Sequence, residues 1–409
     1  MTGSLPLPPA SRRIPLVDLG REYQAHRQEI LAAIDRVLSG SRFYLGPETT
    51  ALEGEFAAMT KVKEAVAVGS GTDALIFALR ALGLGPGDEV IVPSFTFIAT
   101  VAAIVHTGAR PVLVDVDRRS FNLDPEAAAR ALSRRTRGIL PVHLFGRPAP
   151  MADLQDLAAR HDLWLVEDAC QAHGATSSGR PVGGLGQAGC FSFVFTKNLH
   201  GYGDGGMVTT NDSTLADTVR KLRDHGREDH YRHSHYGFCS RLDEIQSAII
   251  RVFLRDLEME NERRRVLARR YDQALAGLPD ILIPEAAHPG DTHVYHRYVP
   301  QATDRDRLAH HLGERGVDTG VNYPLACHQQ PAALTMPHRL GPGGCPVSEE
   351  IAARVLSIPL FPSMTTEEQD RVIAGISEAD DEGGEGAPAI RAPATADEGA
   401  PGAKGGPSR

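Results

Sequence analysis

A chain of 409 residues with 42% apolar and 23% charged side chains has enough hydrocarbon for two or three packed domains and is not disordered overall. Its formal charge of −9, from 43 basic against 52 acidic side chains, argues against nucleic acid as a partner, which calls for a basic stripe. No apolar run approaches the roughly eighteen residues of a membrane span, the start MTGSLPLPPASRR lacks the apolar core of a secretory leader, and the five cysteines (170, 190, 239, 327 and 345), odd in number and without a C-x-x-C pair, read as reduced thiols of a cytoplasmic protein with neither a disulfide frame nor a bound metal.

Residues 1–13 are rich in Pro and Ser and read as a flexible segment. Ile30, Leu31, Ile34, Val37 and Leu38 recur at helical spacing and predict a helix ending at Ser39-Gly40. Short β-branched runs then alternate with helical segments. Strands are expected at 64–68, 89–93, 111–116, 137–142, 163–168, 190–195 and 206–210. Between them, Ser70-Gly71-Thr72-Asp73 opens a helix over 74–82, a second helix runs from about Phe97 to His106, and Asp124-Pro125-Glu126 is a helix start with proline in its first turn. This order predicts an α/β fold: a large domain with a mostly parallel seven-stranded sheet covered by helices, its ligand beyond the carboxyl ends of the strands. A long helical stretch over 241–275 and a mixed segment to about Ile376 predict a smaller C-terminal α+β domain. The expected division is 1–13, a large domain 14–250, a small domain 251–377, and an acidic Gly/Ala/Pro tail 378–409 with too few large apolar residues to order itself.

Two motifs fail on context. Gly184-x-Gly186-x-x-Gly189 spells the dinucleotide fingerprint but precedes a strand where the fingerprint must follow one. His225, His230, His233 and His235, with Arg227 and Arg232, lie in a segment with no apolar pattern to fix ligand geometry; it reads as a polar loop, with contact to an anion as the alternative.

Three other pieces converge. Val68-Gly69-Ser70-Gly71-Thr72-Asp73 leads a strand through a Gly-rich turn into a helix, whose free N–H groups and positive dipole end suit a phosphate. Asp168, in VEDACQ, ends a buried strand, where a carboxylate needs a cationic partner such as a protonated pyridine nitrogen. Lys197 follows the apolar run FSFVFT and precedes the Gly-rich 203–206; beside a cationic, desolvated site its amine becomes nucleophilic. Ser192, five residues earlier, is within reach of a phosphate oxygen. Taken singly, these pieces also read as a helix cap, a salt-bridged acid and a surface lysine. Together they are the parts of a pyridoxal phosphate site.

With these residues in place the chain resembles the sugar aminotransferases of the DegT type, within fold type I of the pyridoxal phosphate enzymes. The resemblance runs from about Ile14 to Ile376 and rests on IPLVDL (14–19), SGTDAL (70–75), GPGDEVIVPSFTFIAT (85–100), PVHLFG (141–146), EDACQAHGA (167–175), TKNL (196–199), GDGG (203–206), SRLDEIQSA (240–248) and LSIPLFP (356–362). It implies that Lys197 bonds the cofactor aldehyde and later shuttles the proton, that Asp168 pairs with the pyridine nitrogen and Gln171 with the phenolic oxygen, that Phe97 stacks on the ring, and that Gly71, Thr72 and Ser192 hold the phosphate. It implies a homodimer with shared active sites, in which the segment before RLDE reaches the neighbour's site. There Cys239 stands where Asn is usual, with Ser240 as a replacement phosphate contact. Phe195 stands where Pro is common, and Asn322-Tyr323-Pro324 where His-Tyr-Pro is usual. Substrate contacts are expected from Arg241, Tyr231, Tyr323 and His328. The implied reaction moves an amino group from L-glutamate to a nucleotide-linked, dTDP-type keto-6-deoxyhexose in deoxyaminosugar and antibiotic biosynthesis. The alternatives are a cyclitol or aminobenzoate-type ketone as acceptor, or a cofactor-binding regulator without turnover. Lysine rather than histidine at 197 separates the chain from relatives that dehydrate sugars.

Overall fold

The computed structural model describes residues 13–383; the expected N-terminal segment up to 12 and the tail from 384 lie outside the described residues. A sheet organises the molecule. Its strands in chain order are β1 (Glu64–Val68), β2 (Glu89–Pro93), β3 (Arg110–Val114), β4 (Thr136–Ile139), β5 (Trp164–Asp168), β6 (Ala188–Ser192), β7 (Gly206–Thr210) and β8 (Arg339–Leu340). In space they run β1-β7-β6-β5-β4-β2-β3-β8. β7 is antiparallel to both neighbours, and every other pairing is parallel. All seven expected strands form, but the sheet has eight: β8, two residues long and too short to show a period, comes from the C-terminal half and pairs with Val112 and Leu113.

The two-residue alternation of the strands assigns each side chain to a face. Ala65, Ala67, Ile91, Val112 and Val114 point into one apolar core, and Val66, Val68, Val90, Val92 and Leu113 into the other. The first core is closed by α1 (Leu19–Gly40), α2 (Pro47–Thr60) and, further along the chain, the helix Glu244–Leu254; the second by α3 (Gly71–Ala81), α4 (Ile98–Val105) and the helix Ser213–Arg223. α2 has no counterpart among the expected elements. Its N-terminus lacks a side-chain cap of its own; Glu244, nearly two hundred residues away, accepts from the Gly46, Glu48 and Thr49 amides at 2.8, 2.8 and 2.9 Å.

The long helical stretch expected over 241–275 consists of two helices, Glu244–Leu254 and Leu257–Leu275. The second spans from the sheet core at Leu257 to a separate core formed by Ala268, Tyr271, Leu275, Tyr298, Leu312, Phe361 and Ile376. Ile14, expected to open the large domain, is part of this C-terminal core and bridges to Val317. Residues 378–383, expected as part of the tail, are helical: the last helix runs Thr366–Gly383, Ala379 is buried, and the Asp380 carboxylate accepts from the Asp280 amide at 2.9 Å.

Candidate active site

The carboxyl ends of β5 and β6 open on a cavity of about 380 Å³, whose wall includes Ser70, Gly71, Thr72, Phe97, Thr100, Asp168, Gln171, Ser192, Lys197, Arg297 and Tyr323. β5 ends in two adjacent acids that point to opposite faces. Glu167 is fully buried and accepts from the Gly183, Leu185 and Gly186 amides at 2.7, 2.7 and 2.9 Å and lies 3.1 Å from His143. Of the glycines that spell the dinucleotide fingerprint, Gly186 thus serves to hold a structural carboxylate. Asp168 faces the cavity. The Thr100 hydroxyl donates to its Oδ2 at 2.7 Å and the Cys170 amide to its Oδ1 at 3.2 Å, which fixes the carboxylate and leaves it no cationic partner within 4 Å among the described residues.

Lys197 sits on the turn after β6. Its backbone N–H donates to Val194 at 2.9 Å, and the side chain of the next residue, Asn198, donates to Asn261 and to the Val294 carbonyl, each at 2.9 Å. The turn is therefore pinned on both sides. The ammonium makes no ion pair among the described residues. Burial depresses its pKa from the ordinary lysine range and the nearby Arg297 charge adds to this, against the opposing pull of Cys170 and Asp168. More of the amine is free base near neutrality than in a surface lysine.

At the other end, Ser70 caps α3 by accepting from the Asp73 amide at 3.1 Å. Gly71 is required by packing: a Cβ there would stand 2.6 Å from the Ser192 Cβ and 3.0 Å from the Cys170 sulfur. The helix N-terminus can approach β6 only without a side chain, and this brings the Gly71 and Thr72 backbone beside Ser192. Gln171 accepts from the Phe145 amide at 2.9 Å and donates to the Tyr323 hydroxyl at 3.2 Å. Burial raises the Tyr323 phenol well above its usual range; it stays protonated, and since it accepts from Gln171 its O–H is free to donate toward the cavity. The Tyr323 ring packs on Phe97, centroids 5.7 Å apart, and Phe97 keeps 52% of its surface exposed.

Eight expected site residues line one cavity: Gly71, Thr72, Phe97, Asp168, Gln171, Ser192, Lys197 and Tyr323. Five do not line it in the single chain. Ser240 is occupied, accepting from Gly69 at 3.0 Å and donating to Asp73 at 2.8 Å. Cys239 is exposed and accepts from Arg241 at 3.1 Å. Arg241 also pairs with Asp224 at 3.2 Å and lies over the Tyr44 ring. Tyr231 is 86% exposed. His328 is engaged by Ser94 at 2.7 Å and Glu349 at 2.9 Å. The sequence reading missed Thr100, His296 and Arg297. Thr100 had a signal, since Thr96 and Thr100 lie one helical turn apart and their hydroxyls meet at 3.1 Å. The histidines and arginines of 225–235 form an exposed bridged loop.

The cavity fits a phosphorylated, aldehyde-bearing pyridine. It offers helix N–H groups and Ser192 for the anion, a desolvated carboxylate for a ring N–H, two amide- or phenol-type donors for a ring oxygen, and an unpaired amine for the carbonyl. Among the described residues no group of three or more His, Cys, Asp or Glu is placed to hold a metal ion, and no helix is long and apolar enough to cross a membrane.

Comparison with known proteins agrees with this geometry. The sequence model of the DegT/DnrJ/EryC1/StrS aminotransferase family matches residues 24–377. The chain is 46% identical over 367 residues to the dTDP-3-amino-3,4,6-trideoxy-alpha-D-glucose transaminase of Streptomyces venezuelae, covering 90% of this chain and 96% of that one. It is 42% identical over 366 residues to a pleiotropic regulatory protein of Geobacillus stearothermophilus, covering 89% and 98%. Among solved structures, that of S. venezuelae DesV in complex with a ketimine intermediate superposes with a TM-score of 0.87 at 45% identity, covering 90% of this chain and 99% of that one.

Proposed function

Since this chain belongs to the DegT/DnrJ/EryC1/StrS aminotransferase family, whose members are pyridoxal phosphate-dependent sugar aminotransferases, we propose that it transfers the amino group of L-glutamate to the ketone of a dTDP-linked keto-6-deoxyhexose. The observation that carries this reading is the convergence of Lys197, Asp168, Gln171 and the Gly71–Thr72 helix start on one cavity.

Pyridoxal phosphate, when bound, supplies an electrophilic carbonyl and an electron sink. The Gly71 and Thr72 amides with the Thr72 and Ser192 hydroxyls hold its phosphate. Asp168, oriented by Thr100, keeps a proton on the ring nitrogen. Gln171 and Tyr323 donate to the ring oxygen, and Phe97 covers one face. Lys197 would hold the cofactor through its side-chain amine and, as the general base and acid of the site, would take the proton from the donor Cα and deliver one to the former ketone carbon of the sugar. A second copy of the chain completes the site: Phe43, Tyr44, Phe97 and Phe195 are each about half exposed on one chain, more aromatic surface than a monomer usually leaves to water. The segment carrying Tyr231, Cys239 and Arg241 then meets the neighbour's cavity, where Arg241 and Tyr231 face the nucleotide. The reaction belongs to the cytoplasm, in keeping with five free cysteines.

A second reading, a cofactor-binding regulator, draws on the relative described as a regulatory protein; the complete Lys197, Asp168 and Gln171 set speaks for turnover. Release of 2-oxoglutarate from L-glutamate, dependent on a dTDP-keto-sugar, separates the two. A panel including cyclitol and aminobenzoate-type ketones tests the acceptor class. Protein that binds the cofactor but releases no 2-oxoglutarate with any acceptor would overturn the proposal.

A further inference from the structure

Two buried asparagines tie the Lys197 turn to the rest of the wall, and together they settle the state of a histidine. Asn261, on the helix Leu257–Leu275, donates through Nδ2 to the His173 carbonyl at 2.9 Å. A carbonyl can only accept, so the other end of this amide, Oδ1, faces Asn198. Asn198 uses both of its N–H groups, one on that oxygen and one on the Val294 carbonyl, each at 2.9 Å. Its own Oδ1 is thereby left as an acceptor, 3.3 Å from Nδ1 of His296. Nδ1 therefore carries the ring proton and Nε2 presents a lone pair. Asn198, Asn261 and His296 are all buried, so bulk water does not compete for these bonds.

Nε2 has no hydrogen-bond partner among the described residues, and His296 lines the same cavity as Lys197. Burial first, then the charges of Lys197, Arg297, Arg264 and His173, hold the imidazole well below the ordinary histidine range. The ring can accept a hydrogen bond but does not compete for a proton. Lys197 has the complementary need. While it carries a proton its ammonium stands in a desolvated site, where an unbonded charge is unfavourable. The other groups around it are engaged elsewhere. Asp168 is held by Thr100 and the Cys170 amide, and in the proposed reaction it pairs with the ring nitrogen. Tyr323 accepts from Gln171, burial keeps the Cys170 thiol protonated, Asp204 is exposed to solvent, and Arg297 repels the ammonium.

Resting on the transaminase reading, we propose that Nε2 of His296 accepts a hydrogen bond from the Lys197 ammonium while the lysine carries the transferred proton. His296 is a positioning residue: it steadies the proton without taking it. Asn198, the neighbour of Lys197 in the chain, holds the imidazole in the one tautomer that can do so. The two side chains are not bonded to each other in the single chain; pairs of this kind commonly close only in the loaded site.

Two substitutions separate this role from mere support of Asn198. His296→Gln keeps an acceptor near the position of Nε2 and gives up the donor to Asn198; His296→Asn keeps a donor near the position of Nδ1 and gives up the acceptor. The enzyme is loaded with pyridoxamine phosphate, which leaves the Lys197 amine free. Carbon NMR after isotopic labelling of lysine then follows the titration of its Cε, which is tractable with five lysines (61, 63, 197, 221 and 404) in the chain. Without its acceptor the ammonium is less stable, so the free base forms at lower pH. In His296→Asn the midpoint should fall by about one to two pH units, the worth of one hydrogen bond to a charged group. The kcat should fall by about 10- to 100-fold while KM for L-glutamate changes by less than about 2-fold. His296→Gln should stay within about 3-fold of wild type in all three readouts. An unmoved midpoint in His296→Asn, or a loss in His296→Gln as large as that in His296→Asn, would overturn the assignment. The unmutated enzyme supplies an arm that does not depend on how the variants fold. Nitrogen NMR of the His296 ring should show Nδ1 protonated and Nε2 bare, with the Nε2 signal moving as Lys197 titrates; a proton on Nε2 would overturn the assignment. Enzyme that binds the cofactor but converts no L-glutamate would remove the transaminase reading itself; normal conversion with an unmoved Lys197 midpoint in His296→Asn removes only the role of His296.

Discussion

The inner wall of the cavity and its outer rim are built on different principles. The wall comes from the ends of β5 and β6 and the start of α3, where neighbouring strands and close packing leave each side chain one place to be. Asp168 is fixed from two sides, the turn at Lys197 is pinned by Asn198, and Gly71 leaves no room for a side chain. The rim is the loop 225–239 and the exposed aromatics around it, whose polar groups bond mostly to close neighbours in the same loop. A rigid wall suits chemistry that repeats with every substrate; a rim with few fixed contacts suits the part of the site that differs between substrates.

If this division is right, damage to the wall should be severe and damage to the rim mild. The largest effect is expected for Lys197→Ala. The borohydride-fixable chromophore should disappear and turnover fall by more than about ten-thousand-fold, beyond what loss of acid–base assistance alone produces. Retention of the fixable chromophore would break the assignment of the wall. The unmutated lysine also carries a pH signature. Because burial lowers its pKa, the free base forms at lower pH than in an ordinary lysine, and the rising limb of the rate of cofactor capture should have its midpoint below the usual lysine value of about 10.4.

Next comes the acid. Asp168→Asn keeps the shape and removes the charge, so the cofactor should still bind while turnover falls by about 10- to 1000-fold, matching a one- to three-unit loss in the pKa of the paired ring nitrogen. Thr100→Val removes only the hydroxyl that aims the carboxylate and should cost about 5- to 10-fold. A titration of the bound cofactor's absorbance checks both: the variants should lose ring protonation in the same order. A Thr100→Val effect as large as that of Asp168→Asn would mean that orientation, not charge, dominates.

The same contrast explains what the sequence reveals. The strands and the α3 start are written locally, in β-branched runs, a serine cap and glycines, and their bounds agree to within a few residues. The wall residues inherit this legibility because they stand at strand ends. Where the deciding partner is remote, the sequence is silent. α2 is capped by Glu244 across the fold. The apolar run 190–195 does not show that the strand ends at Ser192; Phe193 donates to Gly205 and accepts from Gly201, turning the chain so that Phe193 is buried and Phe195 about half exposed. Arg297 in the string HRYV looks like any arginine. Its interest lies in having no hydrogen-bond or ion-pair partner among the described residues, a property of the surroundings and not of the residue.

The smallest effect tests the rim. Cys239 stands where the resemblance to the DegT type implies an asparagine. It is exposed in the single chain and its sulfur accepts from Arg241 at 3.1 Å. A thiol is a weak donor, whereas an amide offers two N–H groups. If the neighbouring chain's loop reaches the phosphate end of the cavity, Cys239→Asn adds one hydrogen bond to a charged acceptor. Cofactor dissociation should then slow and the Kd tighten by about 3- to 10-fold, the worth of one such bond after desolvation. The thermal midpoint of the cofactor-free protein should not move, because the side chain is exposed and supports no core contact. The informative comparison is dilution: the gain should vanish at protein concentrations where the dimer dissociates, since the donor and the phosphate belong to different chains. A gain that survives dilution would place Cys239 at its own chain's cavity and erase the distinction between wall and rim.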